Sequence, residues 1–153
     1  MKNTFKLSIF AIFVSLPFTN ALLAKEKDDA EESTDEVRVE KLVLVRKDGD
    51  KYNAVKQFKP DEKLNVLVFV NELKEGTTVK VVWTIVDAGG EKKKKLYEDT
   101  ATINADVLKN AKAKDNRVDF SLSHEDPLST GDYKVEAYLN GELAKTVEFT
   151  IEE

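Results

Sequence analysis

Residues 131–141 read Gly-Asp-Tyr-Lys-Val-Glu-Ala-Tyr-Leu-Asn-Gly, and this stretch decides the fold class. From Tyr133 to Leu139 every second side chain is apolar, which is the period of a β-strand with one buried face. Asn140-Gly141 follows directly, and this dipeptide favours a type I′ turn because both of its central positions need positive φ. Residues 131–141 therefore predict a strand that enters at Gly131 and ends in a tight hairpin.

Strand-like segments extend outward from this hairpin in both directions. The predicted strands lie at 37–46 with a kink near Lys41, at 64–70, 79–86, 96–103, 118–122 and 143–151. In the last of these we expect Leu143, Val147, Phe149 and Ile151 to point inward. Asn104 is a suitable N-cap for one short helix at 105–113, with Val107, Leu108 and Ala111 turned toward the core. The sequence thus predicts an all-β domain of seven or eight strands with one helical crossover.

This order of strands resembles immunoglobulin-like and fibronectin-III-like sandwiches, in particular bacterial extracytoplasmic domains without an assigned activity. The resemblance implies a single antiparallel sandwich in which Trp83, on the third strand, packs across the core. It also implies a tyrosine corner at Tyr133, with Val135 in the place of one family cysteine. Phe69 or Val68 would stand in the place of the other cysteine. Gly131, Asn140 and Gly141 complete the predicted structural residues.

The N-terminus predicts export. Met1–Lys6 is basic, residues 7–16 are largely apolar, and small residues follow, as in a secretory signal that is cleaved after Ala21 or Ala24. We therefore predict a signal peptide at 1–21 and a periplasmic or extracellular location, with no membrane anchor after cleavage. Lipid attachment is not expected because the chain has no cysteine.

Composition divides the rest of the chain. Residues 25–36 (KEKDDAEESTDE) contain no aromatic or branched aliphatic side chain, so they predict an acidic, disordered linker before a domain at 37–153. The full chain has 24 basic and 29 acidic residues, and loss of the signal removes two lysines. This acidity argues against nucleic acid as a partner, since nucleic-acid affinity is supplied largely by a positive field.

Chemistry-bearing motifs are scarce. With no cysteine and His124 as the one histidine, the sequence predicts no catalytic site, no cofactor and no metal site. His124-Glu125-Asp126 precedes a proline and is interpreted as a solvated turn. A hydrolase that uses carboxylates alone, such as Glu98, Asp99 and Asp119, is kept as a remote alternative.

Two surface features carry a binding hypothesis. If Trp83 faces the core, then Val82, Thr84 and Val86 face outward beside Tyr138 and form a partner face, unless the helix or the 96–103 strand covers them. The run Glu91-Lys92-Lys93-Lys94-Lys95 could dock an acidic partner, although a solvated hairpin tip that protects a sheet edge is the preferred interpretation.

The function predicted from these features is a non-catalytic, secreted or periplasmic interaction module that binds an unknown extracytoplasmic protein or glycan. The alternative is an assembly or chaperone-like accessory that offers a free sheet edge, with the final strand at Phe149–Ile151 as the candidate edge.

Overall fold

Alternating apolar residues produce nine strands and one short helix in the described part of the chain. The computed structural model describes residues 36–110 and 115–153, in which Val37–Glu153 forms one compact unit. The strands are β1 (Val39–Asp48), β2 (Lys51–Ala54), β3 (Gln57–Phe58), β4 (Leu64–Val70), β5 (Thr78–Ala88), β6 (Glu91–Thr102), β7 (Arg117–Leu122), β8 (Gly131–Leu139) and β9 (Glu142–Ile151), with helix α1 (Ala105–Lys109) between β6 and β7.

The strands form two sheets. The first sheet has the order β2-β1-β4-β7, and the second has the order β3-β9-β8-β5-β6. All strand pairs are antiparallel except β3 with β9, which run parallel. The predicted all-β class is therefore confirmed, while the immunoglobulin-like arrangement of the two sheets stays a prediction.

Both sheets contribute to one hydrophobic core. Trp83 is 1% exposed and lies edge-on to Phe149, with a ring-centroid distance of 6.0 Å. The Phe149 ring also contacts Phe58 edge-on at 5.7 Å and stacks on Tyr133 at 5.5 Å. Aromatic pairs at these distances add about 0.5–1.5 kcal/mol each beyond the area that they bury. Phe149 is thus the centre of an aromatic cluster that joins β3, β5, β8 and β9.

Two predicted turn features have specific backbone geometry. Asn140 and Gly141 have φ values of 50° and 90°, and the Asn140 side-chain oxygen accepts a hydrogen bond from the Thr78 backbone N–H at 3.0 Å. Gly131 has φ 146°, and a Cβ at this position would lie 2.3 Å from the Asp87 carbonyl oxygen. Glycine is therefore required at position 131 by both conformation and space.

Several expectations differ from the observed fold. There are nine strands rather than seven or eight in the described residues, and β3 adds a parallel pair that a two-residue segment does not reveal in sequence. Leu143 is 54% exposed rather than inward, because the register shifts between Ala137 and Tyr138 and changes the phase of early β9. The strand expected at 96–103 is the second half of the longer β6.

The helix is shorter than expected. The Asn104 side chain caps it, accepting from the backbone N–H groups of Asp106 and Val107 at 3.0 Å each. The helix ends at Lys109, and the predicted inward residue Ala111 lies outside the described residues. Leu108 is 36% exposed rather than buried, since one turn and a half presents only Val107 to the core.

Candidate ligand-binding cleft

The predicted partner face lies on the outer surface of the second sheet. Val82 is only 9% exposed, whereas Thr84, Val86 and Tyr138 are half-buried. The strand predicted to cover them is part of β6, which lies beside β5 in the same sheet, and long charged side chains of β5, β6 and β8 stand around them. The Lys80 ammonium, for example, lies 4.8 Å from the centre of the Tyr138 ring. Thr84 and Val86 therefore lie in a charged depression rather than in an open apolar patch, and Val82 and Tyr138 are not among the residues that line it.

The depression has a defined floor and two walls, and we call it the outer-face cleft. Its volume is about 400 Å³, and its lining residues are Thr84, Val86, Lys93, Lys95, Lys134, Glu136 and Glu148. Thr84 and Val86 of β5 form the floor. Lys93 and Lys95 of β6 stand on one side, and the β8 and β9 side chains stand on the other. Ligand sites commonly have volumes of about 300–1,000 Å³, so the cleft has the size of a small-molecule site.

Sheet register sets the order of charges across the cleft. Thr84 is paired with Lys95 of β6 on one side and with Lys134 of β8 on the other. Lys134 in turn is paired with Glu148 of β9. Directly paired residues project from the same face of a sheet, so these four side chains form one row from β6 to β9.

Most charges around the cleft are neutralised within the domain. The Lys95 ammonium lies 2.9 Å from the Glu98 carboxylate, and the Lys134 ammonium lies 3.1 Å from the Glu136 carboxylate. The hydrogen bond and charge of Lys95 lower the pKa of Glu98, so this carboxylate stays ionised at neutral pH. Lys92 pairs with Asp87, and Lys94 pairs with Glu91.

Lys93 is the exception in the lysine run. Its ammonium has no ion-pair or hydrogen-bond partner anywhere in residues 36–110 and 115–153. Its backbone has φ 53°, a left-handed conformation that it shares, among the non-glycine residues described, with Asn116 and Asn140. Asparagine tolerates this region, whereas a lysine there is unusual and carries a strain of about 1–3 kcal/mol. An unpaired, strained lysine that lines a cleft is a candidate functional residue.

Two larger depressions flank β9. One, of about 680 Å³, is lined largely by apolar residues of β1 and β9 together with Ala54 and Val55, and the other, of about 720 Å³, lies around Tyr133 and Thr150.

The edge predicted to be free at Phe149–Ile151 is covered, since β3 pairs with Thr150 and Ile151. A two-residue strand is too short for its pairing to be recognised in sequence.

The candidate catalytic groups do not converge. His124 bridges two loops, with Nδ1 2.9 Å from the Asp126 carbonyl oxygen and Nε2 2.9 Å from that of Glu62. Glu98 pairs with Lys95 in the second sheet, while Asp119 of the first sheet pairs with Arg117 at 2.7 Å. Among the described residues no three histidine, aspartate or glutamate side chains gather in a geometry that could hold a metal ion.

One cluster had no counterpart in the sequence analysis. On the first sheet the Arg117 guanidinium lies 5.3 Å from the centre of the Tyr52 ring, and the Tyr52 hydroxyl lies 3.4 Å from the Asp119 carboxylate. Tyr52 and Asp119 belong to the two edge strands, β2 and β7, so the cluster spans the sheet. The spacing of Arg117 and Asp119 on one strand was a usable signal, but nothing in the sequence places Tyr52 beside them.

No known protein family matches the sequence, and no curated protein matches it either. Among solved structures the chain is similar to the alkylpurine DNA glycosylase AlkC of Pseudomonas fluorescens, bound to DNA that contains an abasic-site analogue. The TM-score is 0.48 and the identity 14%, and the match covers 77% of this chain and 31% of that one. The chain thus spans about a third of that enzyme's length.

This comparison contradicts several predictions, which are withdrawn. The family resemblance is wrong as an assignment, since no family model matches the sequence and the solved structure described above is that of a DNA glycosylase. The comparison contradicts three further predictions, because the matched protein is an enzyme bound to DNA. These predictions are a secreted, non-catalytic module that binds a protein or a glycan, a chain without enzymatic activity, and a chain without a nucleic-acid partner. A likeness this weak does not transfer that enzyme's activity to this chain.

The predictions about the N-terminus and location are tested by no finding. The signal peptide at 1–21 and all but the last residue of the linker at 25–36 lie outside the described residues. The domain bounds and the periplasmic or extracellular location therefore stay predictions. In the described ranges, no helix combines the length and the apolar character that crossing a bilayer requires.

Proposed function

We propose that this domain binds a small charged ligand in the outer-face cleft and that Lys93 holds an anionic group of the ligand. The observation that carries the proposal is the state of Lys93: an ammonium without a partner on a strained backbone, at the wall of a cleft of ligand size. Strained backbone conformations concentrate at functional sites, where the surrounding structure holds them.

The rest of the cleft supports an anionic group at this position. Lys95 lies two residues further along β6, on the same wall, and its pairing with Glu98 leaves its remaining N–H groups free to donate. The Thr84 hydroxyl on the floor can donate a hydrogen bond to a carboxylate or phosphate oxygen. A group held by two ammonium ions and a hydroxyl is stabilised by charge-assisted hydrogen bonds, which are about twice as strong as neutral ones.

Solvent exposure limits the affinity. Lys93 and Lys95 are exposed, and ion pairs between exposed groups contribute about 0.2–1 kcal/mol each. We therefore expect weak binding that falls with ionic strength, because the Debye length shortens from about 30 Å at 0.01 M salt to about 8 Å at 0.15 M.

A titration with inorganic phosphate, followed by backbone amide NMR shifts at low salt, tests the proposal. Shifts are expected at Thr84, Val86 and Lys93 and should diminish as sodium chloride is added. Lys93→Gln should abolish most of the response, whereas the matched control Lys51→Gln, an exposed lysine on the first sheet, should leave it unchanged. An identical response in Lys93→Gln and wild type would refute the proposal.

A further inference from the structure

The two walls of the outer-face cleft differ in charge. On the far wall the Lys134 ammonium lies 3.1 Å from the Glu136 carboxylate of the same strand, and Glu148 is the directly paired neighbour of Lys134 on β9. The Glu148 side chain is exposed and makes no hydrogen bond or ion pair within the part of the chain that the structure describes. The far wall therefore carries an excess of one negative charge.

The near wall has the opposite excess. Lys93 and Lys95 stand there, and only Lys95 has a carboxylate partner, Glu98. A ligand with anionic groups alone would meet Lys93 favourably but would lie close to the uncompensated carboxylate of Glu148. A ligand with an anionic group at one end and a cationic group at the other would be matched at both walls.

We infer that the ligand is a zwitterion of the class of a short peptide with free termini, its carboxylate at Lys93 and its ammonium at Glu148. This inference rests on the proposed binding of an anionic group at Lys93. It adds the ligand class and assigns Glu148 as the residue that determines specificity for it.

The dimensions of the sheet agree with this class of ligand. Strands β6 and β9 are separated by β5 and β8, hence by three interstrand spacings, or about 14 Å between strand axes. Lys93 and Glu148 both line the cleft, one on each side, and both side chains are long and flexible. An extended chain covers at most about 3.3–3.6 Å per residue, so a tripeptide spans about 10–11 Å and the flexible lysine and glutamate side chains can cover the few ångströms left.

The test compares three probes at pH 7 and low salt: tri-alanine, N-acetyl-tri-alanine and tri-alanine amide. Each modified peptide lacks one terminal charge. We expect each to bind about three- to fivefold more weakly than tri-alanine, because the loss of one exposed ion pair changes the affinity by about this factor. Glu148→Gln should remove the difference between tri-alanine and its acetylated form. The matched control Glu142→Gln, on the same strand but outside the cleft, should preserve that difference.

The outcomes separate this inference from the proposed function. Equal binding of tri-alanine and its acetylated form, or a response to phosphate without a response to tri-alanine, would overturn the zwitterion while leaving anion binding intact. Absence of any response at Thr84 and Lys93 to all three peptides and to phosphate would overturn both. A difference that survives in Glu148→Gln would show that another group recognises the ammonium end and would refute the role of Glu148.

Discussion

The Tyr133 hydroxyl donates a hydrogen bond to the Ser129 carbonyl oxygen, 2.7 Å away, and the ring of the same residue stacks on Phe149. One side chain thus fixes the loop before β8 to the aromatic cluster of the core. Burial raises the pKa of Tyr133, and the nearby Glu91 carboxylate adds to the effect, so the neutral hydroxyl is favoured in the folded state.

We predict that Tyr133→Phe lowers the free energy of unfolding by about 0.5–1.5 kcal/mol, the net contribution of a typical hydrogen bond, because this bond is only partly buried and water can reach the exposed Ser129. Since the pKa of Tyr133 is raised on folding, the stability linked to it is complete below pH 10 and is lost as the pH rises further. Urea unfolding at pH 8 and pH 11 measures both effects. An unchanged midpoint at pH 8 would argue against the hydrogen bond.

The ion pair of Glu62 with Arg46 predicts how the stability of the domain changes at acidic pH. The Arg46 side chain donates to the Glu62 carboxylate, through Nε and through Nη2 at 2.9 Å, and this hydrogen bond is the main cause of the lowered pKa of Glu62. A lowered pKa means that the linked stability is present above the unfolded-state value and is lost as the pH falls through the folded-state value. We expect Glu62→Gln to destabilise the domain by about 0.5–1 kcal/mol at pH 7. The difference from wild type should shrink as the pH is lowered below about 4.5, and a constant difference in acid would contradict this linkage.

Gly131 and Gly76 form a matched pair for separating steric conflict from backbone strain. Both have positive φ, but a Cβ at Gly131 meets the Asp87 carbonyl oxygen at 2.3 Å and a Cβ at Gly76 meets nothing within 4 Å. We predict that Gly131→Ala costs at least about 3 kcal/mol, whereas Gly76→Ala costs only the strain of about 1–2 kcal/mol. Thermal unfolding of both variants measures the difference, and equal costs would mean that β5 moves to accommodate the new methyl group.

The sequence predicts local features of this domain better than long-range ones. The alternation around Tyr133, the turn at Asn140 and the cap at Asn104 are set by neighbours in the chain, and the structure places strand, turn and helix there. The pairing of β3 with β9 and the contact of Tyr52 with Asp119 join residues that are far apart in sequence. The periodicity of apolar residues along the chain therefore cannot predict them.

In the candidate site, too, the features set by neighbours in the chain could be predicted and those set by distant residues could not. The outward phase of Thr84 and Val86 follows from the alternation around Trp83, and both residues form the floor of the cleft. The lysine run was visible in sequence, but its four members differ in role because their partners differ. Which lysine stays unpaired depends on the positions of Asp87, Glu91 and Glu98 in the hairpin, and on the left-handed backbone at Lys93.

The last prediction separates the strain at Lys93 from its charge. Lys93→Gly relieves the unfavourable φ of 53° and should raise the free energy of unfolding by about 0.5–1 kcal/mol, the relief being offset in part by the greater freedom of glycine in the unfolded chain. The same change removes the ammonium and should abolish the NMR response to phosphate. Lys92→Gly, at a neighbouring position without positive φ, should instead destabilise the domain and retain the response. A variant that is more stable and no longer binds is the expected result of a residue held in strain for binding, whereas a less stable Lys93→Gly would show that the left-handed backbone carries no such strain.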